Sequence, residues 1–514
     1  LLNRKALLLA LPIPLLVGAL WVWMSAARGP FYLGPNSDPE YAYLLNAAGL
    51  LELHAPNHTD HPGTPVQVAS AVVIGGTWLI AGQDSLVPDV LKRPELYLGA
   101  ISVVFSLFLV LLLIIAGLAA FHFTRSAMVV ICVQATPLLS THTVNALGTV
   151  RPEILLVTMA LALGASVLWV WNNPERLDRR STALWFGALA GLGVAIKITF
   201  APLALIPLIL LITRRQRITY LVAAGVAFLV CILPILVRLR QIVRWNYNLF
   251  IHTGIHGQGE TGVVNFSAYG SNLKMLVSHE PALLIFALAG ILFAVAFRSH
   301  ARRDAQTALA WRATLGISVV ELLQFFIVAK HPNPHYLLTA MSLLGTHAAC
   351  MVLLLRETRV AIPAAVAGLL AALIFVVPSI PRQREALAAH RDAMAEFQKR
   401  IDEKTRGGVT VYYHRCSAPA YALKFGDDFC GSYFSPRLET HFRDNYFYNL
   451  WKKKLSSSAR ALTASELIAE AGTRPIYFRG ESWDLVPPEF WPEGFTFQRI
   501  DGAGAEVLYL GVPK

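Results

Sequence analysis

The chain has 514 residues, 55% of them hydrophobic and only 15% charged, with a mean hydropathy of +0.51. Water-soluble domains carry about 25% charged residues, so this composition excludes an ordinary soluble globule and points to surface that faces lipid. The formal net charge of +12 comes from arginines clustered between apolar runs, which is the pattern of membrane orientation and not of nucleic-acid binding.

Uncharged runs able to cross a hydrocarbon core of ~30 Å, which takes roughly 17–25 helical residues, cover residues 6–24, 97–121, 154–171, 218–237, 281–297, 336–355 and 360–377. Shorter or polar-interrupted runs at 127–143, 181–196, 198–213 and 313–329 bring the expected crossings to about 11. Lipid cannot satisfy bare backbone groups, so these runs are helices. With the N-terminus inside, every alternate loop is basic, from Arg4 and Lys5 through Arg176, Arg179 and Arg180 to Arg356 and Arg359. One loop resists, since Arg238, Arg240 and Arg244 fall on the outer side. An odd number of crossings then leaves the C-terminal tail outside. The first run also has features of a signal peptide, with Ser25-Ala26-Ala27 as a small-residue cleavage region, although its apolar stretch is long for one.

The resulting expectation is a polytopic α-helical membrane protein with a small C-terminal α/β extracytoplasmic domain. The transmembrane module covers residues 1–380 and the outer domain residues 381–514. The first outer loop, residues 28–96, contains an interfacial helix at 40–53. Its apolar stretch at 66–81 is expected to lie along the surface or re-enter, because counting it as a crossing inverts the later loop charges. The outer loop 238–280, rich in Gly, Asn and His, is expected to be mobile. The tail opens with a charged helix at 382–406, and strands follow at 409–414, 476–478, 496–500 and 506–510. Thr463 and Glu466 form a capping-box pattern before a short helix.

Cys132, Cys231 and Cys350 lie in apolar runs and are packing residues. Cys416 and Cys430, in the tail, are either a disulfide in an oxidising compartment or two buried thiols. There is no Walker A loop, no strand–GxGxxG–helix unit and no Asp-x-Asp, so ATP-driven transport has no support within the chain.

The residues able to carry chemistry share one side. Pro39 suits a helix's first turn, which puts Asp38 at its N-cap, as a plain cap or as a general base at the membrane surface. Asp60-His61-Pro62-Gly63 forms a rigid turn. Arg151-Pro152-Glu153 stands at the mouth of one crossing and Lys197 between two others, where a lysine either snorkels to the headgroups or binds an anion. Lys330-His331-Pro332-Asn333-Pro334-His335-Tyr336 makes a short outer loop, and Glu321 lies deeper, beside Gln324. An intramembrane acid is either functional or hydrogen-bonded between helices. Carboxylates and cations together suit a reaction that expels a lipid phosphate, with cations stabilising the leaving group.

These motifs, in this order, resemble the C-type (GT-C) glycosyltransferases, in the branch of the protein O-mannosyltransferases and the lipid A aminoarabinose transferases. The resemblance covers most of the chain, from Asp38-Pro39-Glu40-Tyr41 and His61-Pro62-Gly63 to the glycine-rich helix ending in Lys197 and the loop closing on His335-Tyr336. It implies a polyprenyl-phosphate-linked sugar donor that enters from the bilayer, and a lipid, glycan or protein acceptor facing the periplasm of a bacterial inner membrane. It implies Asp38 as the general base of an inverting transfer and Glu153 as an orienting or assisting acid. Lys197 and Arg151 would hold the phosphate, with Arg238 or Lys330 as helpers, while Tyr41, His61, His335 and Tyr336 would line the substrate site. A divalent metal, Mg or Mn, near Asp38 and Glu153 is compatible with the resemblance but not required by it. The Asp-Pro-Glu spacing departs from the adjacent Asp-Glu of the protein mannosyltransferases, and Gly63 stands where relatives often have proline. Both departures bear on the acceptor. The competing readings are a transporter or flippase, which explains the long outer loop less well, and a lipid-linked glycan ligase, which differs mainly in donor size.

Overall fold

The computed structural model describes the chain except for residues 1–3, 35–38, 61, 254–258, 260, 263, 357, 359–360 and 451. The described residues contain 7 helices long and apolar enough to cross a membrane, and up to 9 if each of two bent pairs is one span. The seven are Arg4–Arg28, Thr64–Ala81, Pro94–Thr124, Pro152–Asn172, Ala305–Lys330, Pro334–Leu354 and Ala365–Lys404. The bent pairs are Arg214–Cys231 with Leu233–Ile251, at 79°, and Phe266–His279 with Pro281–Ala296, at 93°. Shorter apolar helices cover Ala127–Leu139, Arg180–Ile196 and Ile198–Leu210. The stretch expected to lie along the surface forms one continuous 18-residue helix, Thr64–Ala81, with the length and apolarity of a crossing. The outer loop 238–280 is largely helical where described, over Leu239–Ile251 and Phe266–His279.

The chain divides into two compact units. The first comprises Leu1–Trp23, Thr59–Val66 and Val103–Pro381. Its helices sort by what they touch. The Pro152–Asn172 and Pro334–Leu354 helices are buried nearly throughout. The Pro94–Thr124 helix instead exposes Val103, Leu107, Leu111 and Ile115 at successive turns, a stripe that only lipid can cover without cost. Lipid gives apolar helices no reason to associate, so close backbone approach must do so. Gly187 and Gly191 stand four apart on the Arg180–Ile196 helix. A Cβ on Gly191 would come within 2.4 Å of the Ala224 carbonyl oxygen, and one on Gly187 within 2.7 Å of that of Tyr220. This contact locks the helix against Arg214–Cys231 and so sets where its C-terminal end lies.

The second unit comprises Met24–His58, Gln67–Ser102 and Arg382–Lys514. Its core is a seven-stranded mixed sheet in the order β4-β3-β2-β1-β5-β7-β6. The strands are β1 (Val409–Tyr412), β2 (Asn445–Asn449), β3 (Lys454–Ser456), β4 (Ala461–Leu462), β5 (Ile476–Glu481), β6 (Phe495–Ala503) and β7 (Glu506–Pro513). β1 runs parallel to both β2 and β5, and the outer pairings are antiparallel. The capping box at Thr463 and Glu466 forms at the start of the helix Ala464–Ala471. Arg479 on β5 is fully buried, and its guanidinium donates to Glu506 (2.6 Å), Gln398 (2.7 Å) and the Ser417 carbonyl (3.0 Å). A buried cation is tolerable only with its donors satisfied in this way.

The helix Glu40–Leu51 also belongs to this unit and packs against the helix Pro419–Asp428. A Cβ on Gly426 would fall 2.6 Å from the Tyr41 carbonyl oxygen. Asn46 donates to the carbonyls of Ala42 and Phe429 and accepts from the amide of Asn57. The helix is therefore almost entirely buried in protein, where the sequence suggested a membrane-surface helix. No disulfide joins Cys416 and Cys430. The Cys416 thiol faces Glu506 at 3.4 Å and the Cys430 thiol faces the Leu45 carbonyl at 3.7 Å. Burial, reinforced by Glu506, pushes the Cys416 thiol well above its ordinary range, so it is an inert packing group.

The charged helix Ser379–Lys404 is tied to β6 through Asp501, which accepts from Arg400 (3.1 Å) and Lys404 (2.6 Å). Hydrogen bonds from Arg400, then Lys404, hold its carboxyl well below the ordinary range. A depressed carboxylate contributes stability above its unfolded pKa of about 3.9 and loses it as pH falls through the folded value. The Asp501→Asn variant is accordingly expected to be less stable than the wild type by roughly 1 kcal/mol above about pH 5, since the cations are partly solvated. The gap should close as the pH drops below about 4. Thermal unfolding of the two proteins across pH 3–7, followed by tryptophan fluorescence, checks this.

Candidate functional site

Two of the sequence motifs meet in the first unit. Pro62 forms an antiparallel bridge with Lys197, and the Gly63 amide donates to the Ala195 carbonyl at 3.1 Å. The turn after His61 is thereby laid along the end of the glycine-rich helix. Lys197 is the C-cap of Arg180–Ile196, with an extended backbone that ends the helix, and its own amide closes on Gly193. A cation is favoured at that helix end. Across from it, Pro152 occupies the first turn of Pro152–Asn172, Arg151 is the N-cap, and Glu153 sits in the first turn where an acid is favoured. The Arg-Pro-Glu sequence thus has a local reason for each residue.

The two helix ends join through a buried ion pair, with Lys197 Nζ 2.7 Å from Glu153 Oε1 and both side chains largely shielded from solvent. The ammonium also lies 5.1 Å from the centre of the Tyr336 ring, in cation–π range. Tyr336 packs on His335, with ring centroids 4.1 Å apart, in the turn Pro334–Leu337. Thr339, in the short helix Leu338–Met341 that follows this turn, bonds to Thr199 at 3.1 Å, in the segment after Lys197. Arg151 and His335 are the remaining charged or titratable groups acting on Glu153. Five of the sequence candidates, Arg151, Glu153, Lys197, His335 and Tyr336, are therefore brought together.

The other candidates lie differently. Asp38 and His61 are outside the described residues. Tyr41 belongs to the second unit, fully buried, with its hydroxyl donating to Glu95 at 2.5 Å. Glu95 also accepts from the amides of Phe31 and Tyr32, so Tyr41 acts there as a tie between chain segments. Burial, then the charge of Glu95, pushes its phenol well above the ordinary range. Arg238 ends the short helix Leu233–Arg238 within the second limb of a bent pair, and no bond joins it to Glu153 or Lys197 among the described residues. The Lys330 ammonium donates to the carbonyls of Leu249 and Phe250, capping the end of the helix Leu239–Ile251. Glu321 binds His347 Nδ1 at 2.9 Å, and His347 Nε2 lies 3.2 Å from Ser318 Oγ, all fully buried. That chain is hydrogen bonding between helices.

One pair escaped the sequence reading. His142 Nε2 lies 3.2 Å from Glu280 Oε1, and His142 is among the groups acting on His335. Glu280 is the N-cap of the helix Pro281–Ala296. Its acid precedes the first-turn proline, where Glu153 follows Pro152, and it ends a loop that was read as flexible.

A metal does not fit the described residues here. No group of three or more His, Cys, Asp or Glu side chains is placed to hold one among them, and the Lys197 ammonium occupies Glu153. What the cluster offers is a fixed, desolvated cation, with Arg151 beside it, where an anion could dock.

Residues 92–328, which include Arg151, Glu153 and Lys197, match the model of glycosyltransferase family 87. No curated protein is similar to the chain in sequence. Among solved structures, the fold matches ArnT from Cupriavidus metallidurans, crystallised bound to undecaprenyl phosphate. The TM-score is 0.52 at 13% identity, over 97% of this chain and 97% of that one. The chain thus combines many apolar helices, a segment around the ion pair that matches glycosyltransferase family 87, and an overall fold shared with ArnT.

Proposed function

We propose that the chain transfers a sugar from a polyprenyl-phosphate donor to an acceptor facing the periplasm, with inversion, and that it does so as a multi-pass protein of a bacterial inner membrane. The observation that carries this is the buried Lys197–Glu153 pair with Arg151 at the adjacent helix N-terminus. A lipid phosphate needs a cation at the bilayer surface, already desolvated and already oriented, to stabilise charge as it departs. The undecaprenyl phosphate bound to the structurally similar ArnT supports the same class of donor.

In this reading Asp38 takes the acceptor hydroxyl's proton while the oxygen attacks the anomeric carbon. The bond from that carbon to the phosphate oxygen breaks, and polyprenyl phosphate leaves with the electron pair. Lys197 and Arg151 bear the phosphate's charge, and Glu153 holds the ammonium in position and orients the sugar. His335 and Tyr336 wall the donor side, and His61 is a further substrate contact. Arg238 is a further phosphate contact, whereas Lys330 keeps the outer helices in place. Residues 1–380 form the transmembrane module and 381–514 the periplasmic domain, with both the first loop and the tail extracytoplasmic.

Two outcomes follow. Asp38→Asn is expected to abolish release of polyprenyl phosphate from a radiolabelled polyprenyl-phosphate sugar while leaving binding of that lipid within about twofold, since the residue acts only as transfer proceeds. Translocation of the lipid without bond cleavage would instead favour a flippase. Glu153→Gln and Lys197→Met should each destabilise the protein by roughly 3–5 kcal/mol, because each strands a buried charge. The Glu153→Gln/Lys197→Met double variant is expected to recover most of that stability and none of the activity, which thermal unfolding and turnover measured side by side will show.

A further inference from the structure

The C-terminal sheet carries a concavity, wholly within the C-terminal part of the chain. It measures about 380 Å³ and lies at the C-terminal ends of the parallel strands β1 and β2, below the helix Pro419–Asp428. In open α/β sheets ligands bind at this end of the strands. Its floor is aromatic. Tyr412 and Phe447 are register partners on neighbouring strands with ring centroids 6.0 Å apart, and Tyr421 and Phe425 face the concavity from the helix. Its rim is cationic. Lys452 and Lys454 line it, exposed, and neither makes an ion pair among the described residues. The only acid in the lining, Asp428, is already matched by Lys424. A separate observation points to a ligand: Ser458 lines the same concavity and is 4% exposed, and its hydroxyl has no hydrogen-bond partner among the described residues. A buried hydroxyl left so is costly unless something comes to meet it.

We propose that this concavity binds an anionic saccharide, one bearing uronate or phosphate groups. Flat aromatic faces carry negative charge that attracts the C–H face of a pyranose ring. Lys452 and Lys454 supply the attraction for its anionic groups, and Ser458 and Asn449 supply partners for its hydroxyls. A nucleotide is a poorer match. It needs a glycine-rich turn after the first strand so that backbone amides reach the phosphates, whereas β1 exits through His414-Arg415-Cys416-Ser417-Ala418-Pro419, without a glycine. That the saccharide is part of the acceptor rests on the transfer reaction proposed above, but its binding does not.

The test is calorimetric titration of the full-length protein in zwitterionic nanodiscs with trigalacturonate, maltotriose, UMP and inorganic phosphate. Trigalacturonate is expected to bind at least about tenfold more tightly than the other three, to weaken about tenfold or more in Lys452→Glu/Lys454→Glu, and to weaken severalfold in Tyr421→Ala. Lys399→Glu, an exposed charge reversal on the Ser379–Lys404 helix, should leave it unchanged. Absence of binding at about 10 mM, equal affinity for maltotriose, preference for UMP or phosphate, or indifference to the paired reversal would each overturn the proposal. Donor cleavage by the same samples separates the two readings, since a protein that cleaves donor without binding trigalacturonate loses only this one.

Discussion

The ion pair between Lys197 and Glu153 is the constraint around which the first unit is organised. It requires the C-terminal end of one helix and the N-terminal end of another to lie side by side, buried, with opposite charges 2.7 Å apart. The Gly187 and Gly191 contacts fix the first of these ends and Pro152 fixes the start of the second. The Pro62–Lys197 bridge and the Tyr336 ring then close around the ammonium. Desolvating such a pair costs more than its attraction returns unless the geometry is good, so these surrounding contacts are what make it tolerable.

The second unit solves a different problem with the same rule. Arg479 is as deeply buried as Lys197 but has Glu506, Gln398 and the Ser417 carbonyl on its donors. It joins β5, β7 and the charged helix, with each of its three nitrogens donating to an acceptor. Among the described residues, Lys197 has a single carboxylate partner and an aromatic face. On the reaction proposed above, that contrast separates a cation that builds structure from one that takes up an anion.

Much of this was legible in the sequence because its causes are local. Proline in a first helical turn, an acid beside it, a cation at a helix end and the Thr463–Glu466 capping box each act within a few residues. The membrane class followed from composition, and the outer strands β6 and β7 from their length and separation. What was not legible depends on distant partners. β2, with the sequence Asn-Tyr-Phe-Tyr-Asn, is buried on both faces and so shows no alternation of polar and apolar residues. The helix Glu40–Leu51 was taken for a membrane-surface helix because nothing local shows that Pro419–Asp428 covers it. His142 and Glu280 stand 138 positions apart and have no shared motif. Tyr41 looked like a substrate contact by its neighbours in sequence, and its hydroxyl belongs to Glu95.

The most direct measurement of the central claim is native mass spectrometry of the purified protein released from its own membrane, compared with Lys197→Met. The account predicts that the wild type retains a lipid with the mass of a polyprenyl phosphate and that the variant, folded by the same criterion, has lost it. Equal retention of that lipid by both proteins, or its absence from both when polyprenyl phosphate is added back, would contradict a phosphate site built on this ammonium.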